Sequence, residues 1–407
     1  MNGKLPVGDR SIPHTPCLEK AKRRGGGFSI PRKVFQQGTL LALVVTVVAG
    51  TAWAAPEAPG FLAAEGERTW AFPRDHGQHP AYRIEWWYYT GHLEGPGGRR
   101  FGFQVTFFRL GLRARPGARA SAWATGALYS AHAALSDLTR GRFRHAGRAA
   151  RDGLDLAGAA THRHQVWVGP WRADALPDDP HGTRLTVRAP DFALELTLHA
   201  RTPPVLHGRG GLDRKGPAPG QASWYYSLPD LAATGTVAAG GETVPVQGSA
   251  WMDHEFGTSQ LGPEREGWDW WALRLSDGHA LMLYRLRARG GGTAPFSGGT
   301  LIDPAGRGTP FDLAPDGPAR LRPTRHWESP DGTRYPVAWR IELPTQGLAL
   351  DVTPELDAQE LTPTAGVPFP YWEGAVRVAG THAGRAVTGR GYQELAGYAG
   401  DLSAAFR

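Results

Sequence analysis

Residues able to move protons gather at one place in the sequence. Asp253, His254 and Glu255 stand in succession within Trp251-Met-Asp-His-Glu-Phe256, and Asp269 follows in Trp268-Asp-Trp-Trp271. A carboxylate against an imidazole can orient the ring or raise its pKa, readying it for acid-base work near neutral pH. The same types also serve structure, since an Asp-His pair ahead of a strand can simply cap a turn. A shorter version stands earlier, where Asp75-His76 precedes Glu85-Trp86-Trp87. That repetition fits both readings, because a duplicated scaffold residue would also occur twice. The gaps are unequal: eight residues separate His76 from Glu85, and fourteen, with extra acids among them, separate His254 from Asp269.

Glu85 and Asp269 occupy matching places before Trp-Trp. Such carboxylates become proton donors if an apolar cavity raises their pKa, or they pair with an arginine such as Arg83, Arg109 or Arg274. The chain has 15 tryptophans. On a strand, Trp268 and Trp270 would share one face while Asp269 and Trp271 take the other. Those indoles either wall a barrel through cross-strand aromatic pairs, or line a cavity for a long apolar or polyene ligand and stabilise positive charge developing on it. His76, His79 and His254 with an acid are metal-binding types, but no HExxH or similar spacing supports a metal. There is no GxSxG, no P-loop and no GxGxxG opening a helix, so no serine nucleophile or phosphate cradle can be named. Neither cofactor nor metal is expected.

The elements that must position these groups read as strands. Gly (55) and Pro (34) are plentiful, and no window outside the N-terminal apolar run shows a helical stripe. Glu85–Leu93 and Phe101–Arg109 flank a glycine-rich turn as one hairpin, and Asp269–Leu275 with Ala280–Leu286 form a second like it. Ser130–Arg142 can be laid on Ser297–Arg307, so two segments repeat in the same order. Pro203–Gly216 is too rich in Gly and Pro for a regular element and reads as a long loop. The expected architecture is all-β: two antiparallel barrels in tandem over 65–245 and 246–407, after a linker at 55–64. Closure would remove exposed edges, and a barrel of this size holds one small ligand.

Residues 1–54 read as a signal peptide. A basic stretch leads into the apolar run Thr39–Gly50 and the small-x-small Ala52-Trp-Ala54. The formal net charge is +7, and this segment holds eight Lys/Arg and two acids, a net of 8 − 2 = +6; the remainder is 7 − 6 = +1. A nearly neutral mature chain has no electrostatic reason to bind nucleic acid. The single cysteine, Cys17, lies in the removed segment, which excludes disulfides, thiol nucleophiles and thiolate metal sites from the mature protein. Export to the periplasm or beyond is expected.

Longer motifs carry a resemblance. FPRDHGxHPxYRxEWWYxTGxL, FGFQxTFFR, PPVLxGxxGLxxKG, ASxYYSLxxL, AWMDHEF, GWDWWxLxLxDG, LMLYxLR, YWEGAV and GRGYxELxGY occur in order over about residues 65 to 400. They resemble the secreted AttH-like proteins, often labelled "predicted secreted hydrolase", which are similar to bacterial carotenoid 1,2-hydratases. The resemblance implies a pair of lipocalin-like barrels. For the hydratases it further implies cofactor-free, acid-initiated addition of water to a terminal double bond of an acyclic carotenoid. Their Asp-His-x-aromatic motif matches Asp253, His254 and Phe256. A hydratase Tyr-x-Asp has no counterpart, since Tyr284-Arg285-Leu286 lacks the acid, and Asp269 or Glu255 would have to supply the proton.

The expectation is an exported acid-base enzyme acting on an apolar isoprenoid or lipid. His254 with Asp253 is its catalytic centre, and Asp269 and Glu255 are auxiliary acids. Trp251, Phe256, Trp268, Trp270, Tyr284, His76, Glu85 and Trp87 are the ligand-binding candidates. The alternatives are a non-catalytic carrier or export accessory for a hydrophobic molecule, with transient membrane or export-system contact, and a secreted hydrolase.

Overall fold

The computed structural model describes residues 60–114, 124–259, 262, 264–366, 368–400 and 402. The expected signal peptide, its basic stretch and Cys17 lie outside the described residues. The described chain is all-β, as its Gly- and Pro-punctuated alternation requires, with only three-residue 3-10 turns besides. Two antiparallel sheets each curl around their own apolar core.

The first sheet begins as a meander that runs backwards along the path: Arg142–Arg151, Ala127–Asp137, Arg99–Gly111, Ile84–Gly95. It then continues through Glu242–Ser259, Ala222–Ala239, Phe192–Ala200 and Asp179–Arg188. The second sheet repeats that plan with Gly308–Leu313, Ser297–Ile302, Ala280–Ala288 and Arg265–Leu275, followed by Arg385–Ala396, Tyr371–His382 and Leu348–Pro354. In both, the last long strand returns to pair with the first.

This topology moves the division between the halves. The strand Glu242–Ser259, which carries Asp253 and His254, hydrogen-bonds to Ile84–Gly95 on one side and Ala222–Ala239 on the other. It therefore lies inside the first sheet as the last of that sheet's strands in chain order, and the second sheet starts at Arg265, not at residue 246. The described end of the expected linker is mostly exposed but tied down at two points: Ala64 is buried, and Leu62 N–H donates to the Ala81 carbonyl. Within the stretch read as a long loop, Val205–Leu206 and Leu212–Arg214 add short strands to Ala222–Ala239.

The internal repeat is also re-registered. Glu85-Trp86-Trp87 and Asp269-Trp270-Trp271 do match, each on the first strand of its sheet. The two Asp-His pairs do not, because Asp75-His76 lies in a 3-10 turn before the first strand. Opposite Trp86 and Trp87 stand Glu255 and His254; opposite Trp270 and Trp271 stand Glu394 and Gln393. The counterpart of Asp253-His254-Glu255 is thus Tyr392-Gln393-Glu394.

Both first strands are buried on both faces, which explains why they read as continuous aromatic runs. Trp87 and Tyr89 enter the first core, and Trp271 and Leu273 the second. Tyr88, Trp251, Trp270 and Tyr284 face a third apolar layer between the sheets. There the functional side chains converge.

Candidate active site

The strand Glu242–Ser259 presents alternate residues to two different environments, because successive side chains point to opposite faces. Met252 and His254 face the first core, whereas Trp251, Asp253 and Glu255 face the junction with the second sheet. His254 and Asp253 are therefore not a dyad.

His254 is fully buried and stacks on Trp87, with ring centroids 4.9 Å apart. Its Nε2 lies 2.9 Å from Glu85 Oε1, and its Nδ1 lies 2.9 Å from the Tyr226 hydroxyl. Burial lowers the imidazole pKa to about 4 against the pull of Glu85, so the ring is neutral at pH 7. The ionised carboxylate assigns the proton to Nε2, leaving Nδ1 to accept from Tyr226. Tyr226 in turn contacts His76 Nδ1 at 2.6 Å, and His76 Nε2 contacts His181 at 2.8 Å. Glu85 also receives Arg109 Nε–H at 2.9 Å and the His79 ring at 2.9 Å. Despite burial, Arg109 and the two histidines hold the Glu85 carboxyl well below the usual range.

His79, Glu85 and His254 bring ligand-type atoms within 4.8 Å of one another. Yet both rings spend their facing nitrogens on hydrogen bonds to one oxygen, and Arg109 already neutralises the carboxylate. This is the arrangement of a satisfied core network, which fixes the return strand to the first. His76, Glu85, Trp87 and Phe256, expected to touch ligand, all belong to it. Phe256 stacks on His79 with centroids 3.6 Å apart.

Asp269 is likewise structural. Arg285 Nε–H donates to it at 2.7 Å, Arg287 at 3.0 Å and the Tyr398 hydroxyl at 2.8 Å. Cross-strand placement repeats that of Glu85 and Arg109, since Asp269 faces Arg285 and Glu85 faces Arg109. Both of its oxygens are thus spent on guanidinium and phenol donors, which ties the first two strands of the second sheet together.

The other face of the strand opens on a cavity of about 120 Å³ between the sheets. Trp86, Phe108, Trp268 and Phe369, all half-buried, stand at its edge. Trp270, Tyr88, Tyr225 and Tyr284 line it deeper, with Trp270 and Tyr88 edge to face at 5.1 Å. Of the expected binding residues, Trp268, Trp270 and Tyr284 are thus brought together. Trp251 lines the adjoining groove and donates its indole N–H to Asp253 at 2.6 Å.

Four carboxyl groups share this aromatic enclosure: Asp253, Glu255, Glu373 and Glu394. Asp253 accepts from Tyr225 at 2.7 Å, from Trp251 and from Ser227, yet burial pushes its pKa up to about 6. Glu255 accepts from Ser223 and lies 3.5 Å from Lys215 Nζ. Burial outweighs that cation and pushes the acid to about 7. Lys215 is itself anchored to Asp213 at 2.6 Å, which also takes the Tyr284 hydroxyl at 2.8 Å.

Lys215, Tyr225, Glu373 and Glu394 were not singled out from the sequence, although each lies in one of the family-like segments. Only the pseudo-repeat could have found Glu394, through its place opposite Trp270 as Glu255 is opposite Trp86.

The comparisons with known proteins agree with this architecture. A model of the AttH-like family matches residues 63–398. The crystal structure of an AttH from Nitrosomonas europaea aligns with a TM-score of 0.73 at 38% identity, over 83% of this chain and 100% of that one. Kievitone hydratase from Nectria haematococca has the same fold at 16% identity, with a TM-score of 0.63 over 84% of this chain and 98% of that one. Dehydratase asqC of Emericella nidulans is 26% identical over 232 residues, 54% of this chain and 63% of that protein. The chain spans under two thirds of that relative's length. It belongs to the AttH-like family.

Proposed function

We propose that the protein is a cofactor-independent, hydratase-like enzyme that adds water to, or removes it from, an unsaturated apolar ligand in the junction cavity. The observation that carries this is the set of carboxyl groups held near or above neutral pKa inside an aromatic enclosure. A carboxylic acid kept neutral at pH 7 can protonate a carbon-carbon double bond, and indole and phenol faces stabilise the cation that results. Glu255, poised at about 7 beside Lys215, is suited to take the proton of the attacking water. The hydratase and dehydratase named among the relatives support the reaction class.

The cavity is sized for the reacting end of a ligand, with the remainder leaving past Trp86, Phe108, Trp268 and Phe369. An isoprenoid or lipid tail fits that aromatic mouth. A hydrolase is less well served. Ser227 does touch both His207, at 2.6 Å, and Asp253, but the serine lies between the other two, so no imidazole links it to the acid. The basic, apolar and small-residue order of the N-terminal pattern supports export to the periplasm or beyond as part of this reading.

The test is to identify by mass spectrometry any ligand co-purified with the protein from the periplasm, then to follow its hydration or dehydration. Turnover that disappears in Glu255→Gln supports the reading. Stoichiometric bound lipid with no turnover replaces it with a carrier.

A further inference from the structure

The cavity has two walls, and the wall contributed by the second sheet has its own pair of acids. Glu373 on Tyr371–His382 and Glu394 on Arg385–Ala396 are direct partners across an antiparallel ladder, close enough for their side chains to interact. Glu373 is 1% exposed. Its Oε1 accepts the Tyr88 hydroxyl at 2.7 Å, whereas its Oε2 is buried with no hydrogen-bond partner among the described residues. Glu394 is half-buried and accepts the Trp268 indole N–H at 2.9 Å.

Two carboxyl groups sharing a desolvated site do not both ionise near neutrality. Burial and the neighbouring Glu394 hold the Glu373 carboxyl well above its ordinary range, and burial brings Glu394 to about 7. The ionisable groups facing the pair are Asp253 and Glu255 from Glu242–Ser259, Tyr88 from Ile84–Gly95, and Tyr371 and Tyr392 from the pair's own strands. His132, which also lines the cavity and contacts the Tyr371 hydroxyl at 3.0 Å, is lowered to about 4 by burial and carries no charge at pH 7, so among the described residues these neighbours do not draw the proton off by positive charge. Lys215, across the cavity, is committed to Asp213 and Glu255.

We infer that Glu373 is the catalytic proton donor of this cavity, acting from Oε2 on an alkene carbon of the ligand, and that Glu394 is a positioning residue that keeps the proton on Glu373. The assignment rests on the hydratase reading of the same cavity. In the hydration direction the π pair takes the Glu373 proton to form a C–H bond, which leaves a cation on the neighbouring carbon. Water attacks that carbon, the C–O bond forms, and the surplus water proton passes to the Glu255 carboxylate. The product is the alcohol, and exchange with solvent returns the proton from Glu255 to Glu373. Dehydration is the reverse. Donor and acceptor thus sit on walls supplied by different sheets, so neither half of the protein is sufficient alone.

The experiment uses the full chain in D2O with citronellol, a short acyclic isoprenoid bearing a trisubstituted double bond, and follows deuterium entering carbon by mass spectrometry. Wild type is expected to incorporate deuterium. Glu373→Gln, checked for folding by circular dichroism, is expected to lose about 100-fold or more of that rate. Glu394→Gln is expected to retain exchange at low pH but to lose it at a lower pH than wild type, because removing the like charge makes the Glu373 proton easier to lose. A folded Glu373→Gln protein that exchanges at the wild-type rate overturns the donor assignment. If that variant does not fold, Glu394→Gln decides, since an unchanged upper pH limit there overturns the pairing. Wild type that exchanges nothing overturns the hydratase reading and the relay with it, whereas wild-type exchange that persists undiminished in folded Glu373→Gln, with an unchanged upper pH limit in Glu394→Gln, overturns the relay alone.

Discussion

Asp253 and His254 are neighbours in sequence yet face opposite sides of one strand, Asp253 toward the cavity between the sheets and His254 into the first core. The pair most suggestive of acid-base chemistry is therefore divided between two tasks. One residue contributes to the cavity's acids, and the other ties the last strand of the sheet to the first.

His254→Ala should act on stability and not on chemistry. It removes a donor from buried Glu85 and the ring stacked on Trp87. A loss of about 2 to 4 kcal/mol is expected from a buried acceptor deprived of a donor plus a cavity, read as a lower urea midpoint. Deuterium exchange per folded molecule should stay within twofold of wild type; a fall of 100-fold in a folded variant would restore His254 to the catalytic centre.

The two buried ion pairs should prove equivalent. Arg109→Ala strands Glu85, and Asp269→Ala strands Arg285 and Arg287. Breaking a buried pair from one side costs about 3 to 5 kcal/mol. Comparable losses are expected for both variants in denaturant titrations, and a loss below about 1 kcal/mol in either would show that its partner finds water.

Glu255→Gln should be stabilised, relative to wild type, as pH rises. The folded-state pKa of Glu255 is raised from 4.5 to about 7, so its contribution is fully present below 4.5 and is lost as pH rises through 7. Glutamine mimics the neutral acid and escapes that loss. The difference in unfolding free energy between variant and wild type should grow in the variant's favour from pH 4.5 to 8, by up to about 3 kcal/mol at 1.36 kcal/mol per unit. Melting curves across that range check it, and a difference independent of pH would mean that Glu255 ionises normally.

The aromatic edge should govern affinity. Trp86 and Trp268 are half-buried at the cavity and on different sheets. Replacing either with alanine should weaken binding of farnesol about tenfold or more, as loss of an aromatic anchor commonly does, measured by quenching of intrinsic tryptophan fluorescence. Equal affinities in wild type and both variants would place the ligand elsewhere.

Much of this architecture was legible along the chain. Short alternating segments separated by Gly and Pro dictate antiparallel strands, and the matched Glu85-Trp-Trp and Asp269-Trp-Trp openings announced two similar sheets. The strand period also separated Trp268 and Trp270 from Asp269 correctly, because that alternation is local and follows from backbone geometry. What tertiary structure decided was which face meets what. Adjacent residues such as Asp253 and His254 look like one unit in sequence, but the pleat sends them to different compartments, and only the second sheet makes one of those compartments a cavity. Glu85 and Asp269 likewise became structural once Arg109 and Arg285 stood opposite them, a pairing set by hairpin register. Glu373 and Glu394, distant from Glu255 along the chain, join it because the two curled sheets bury their aromatic outer faces against each other. That burial, which no local pattern encodes, is what raises the cavity's acids.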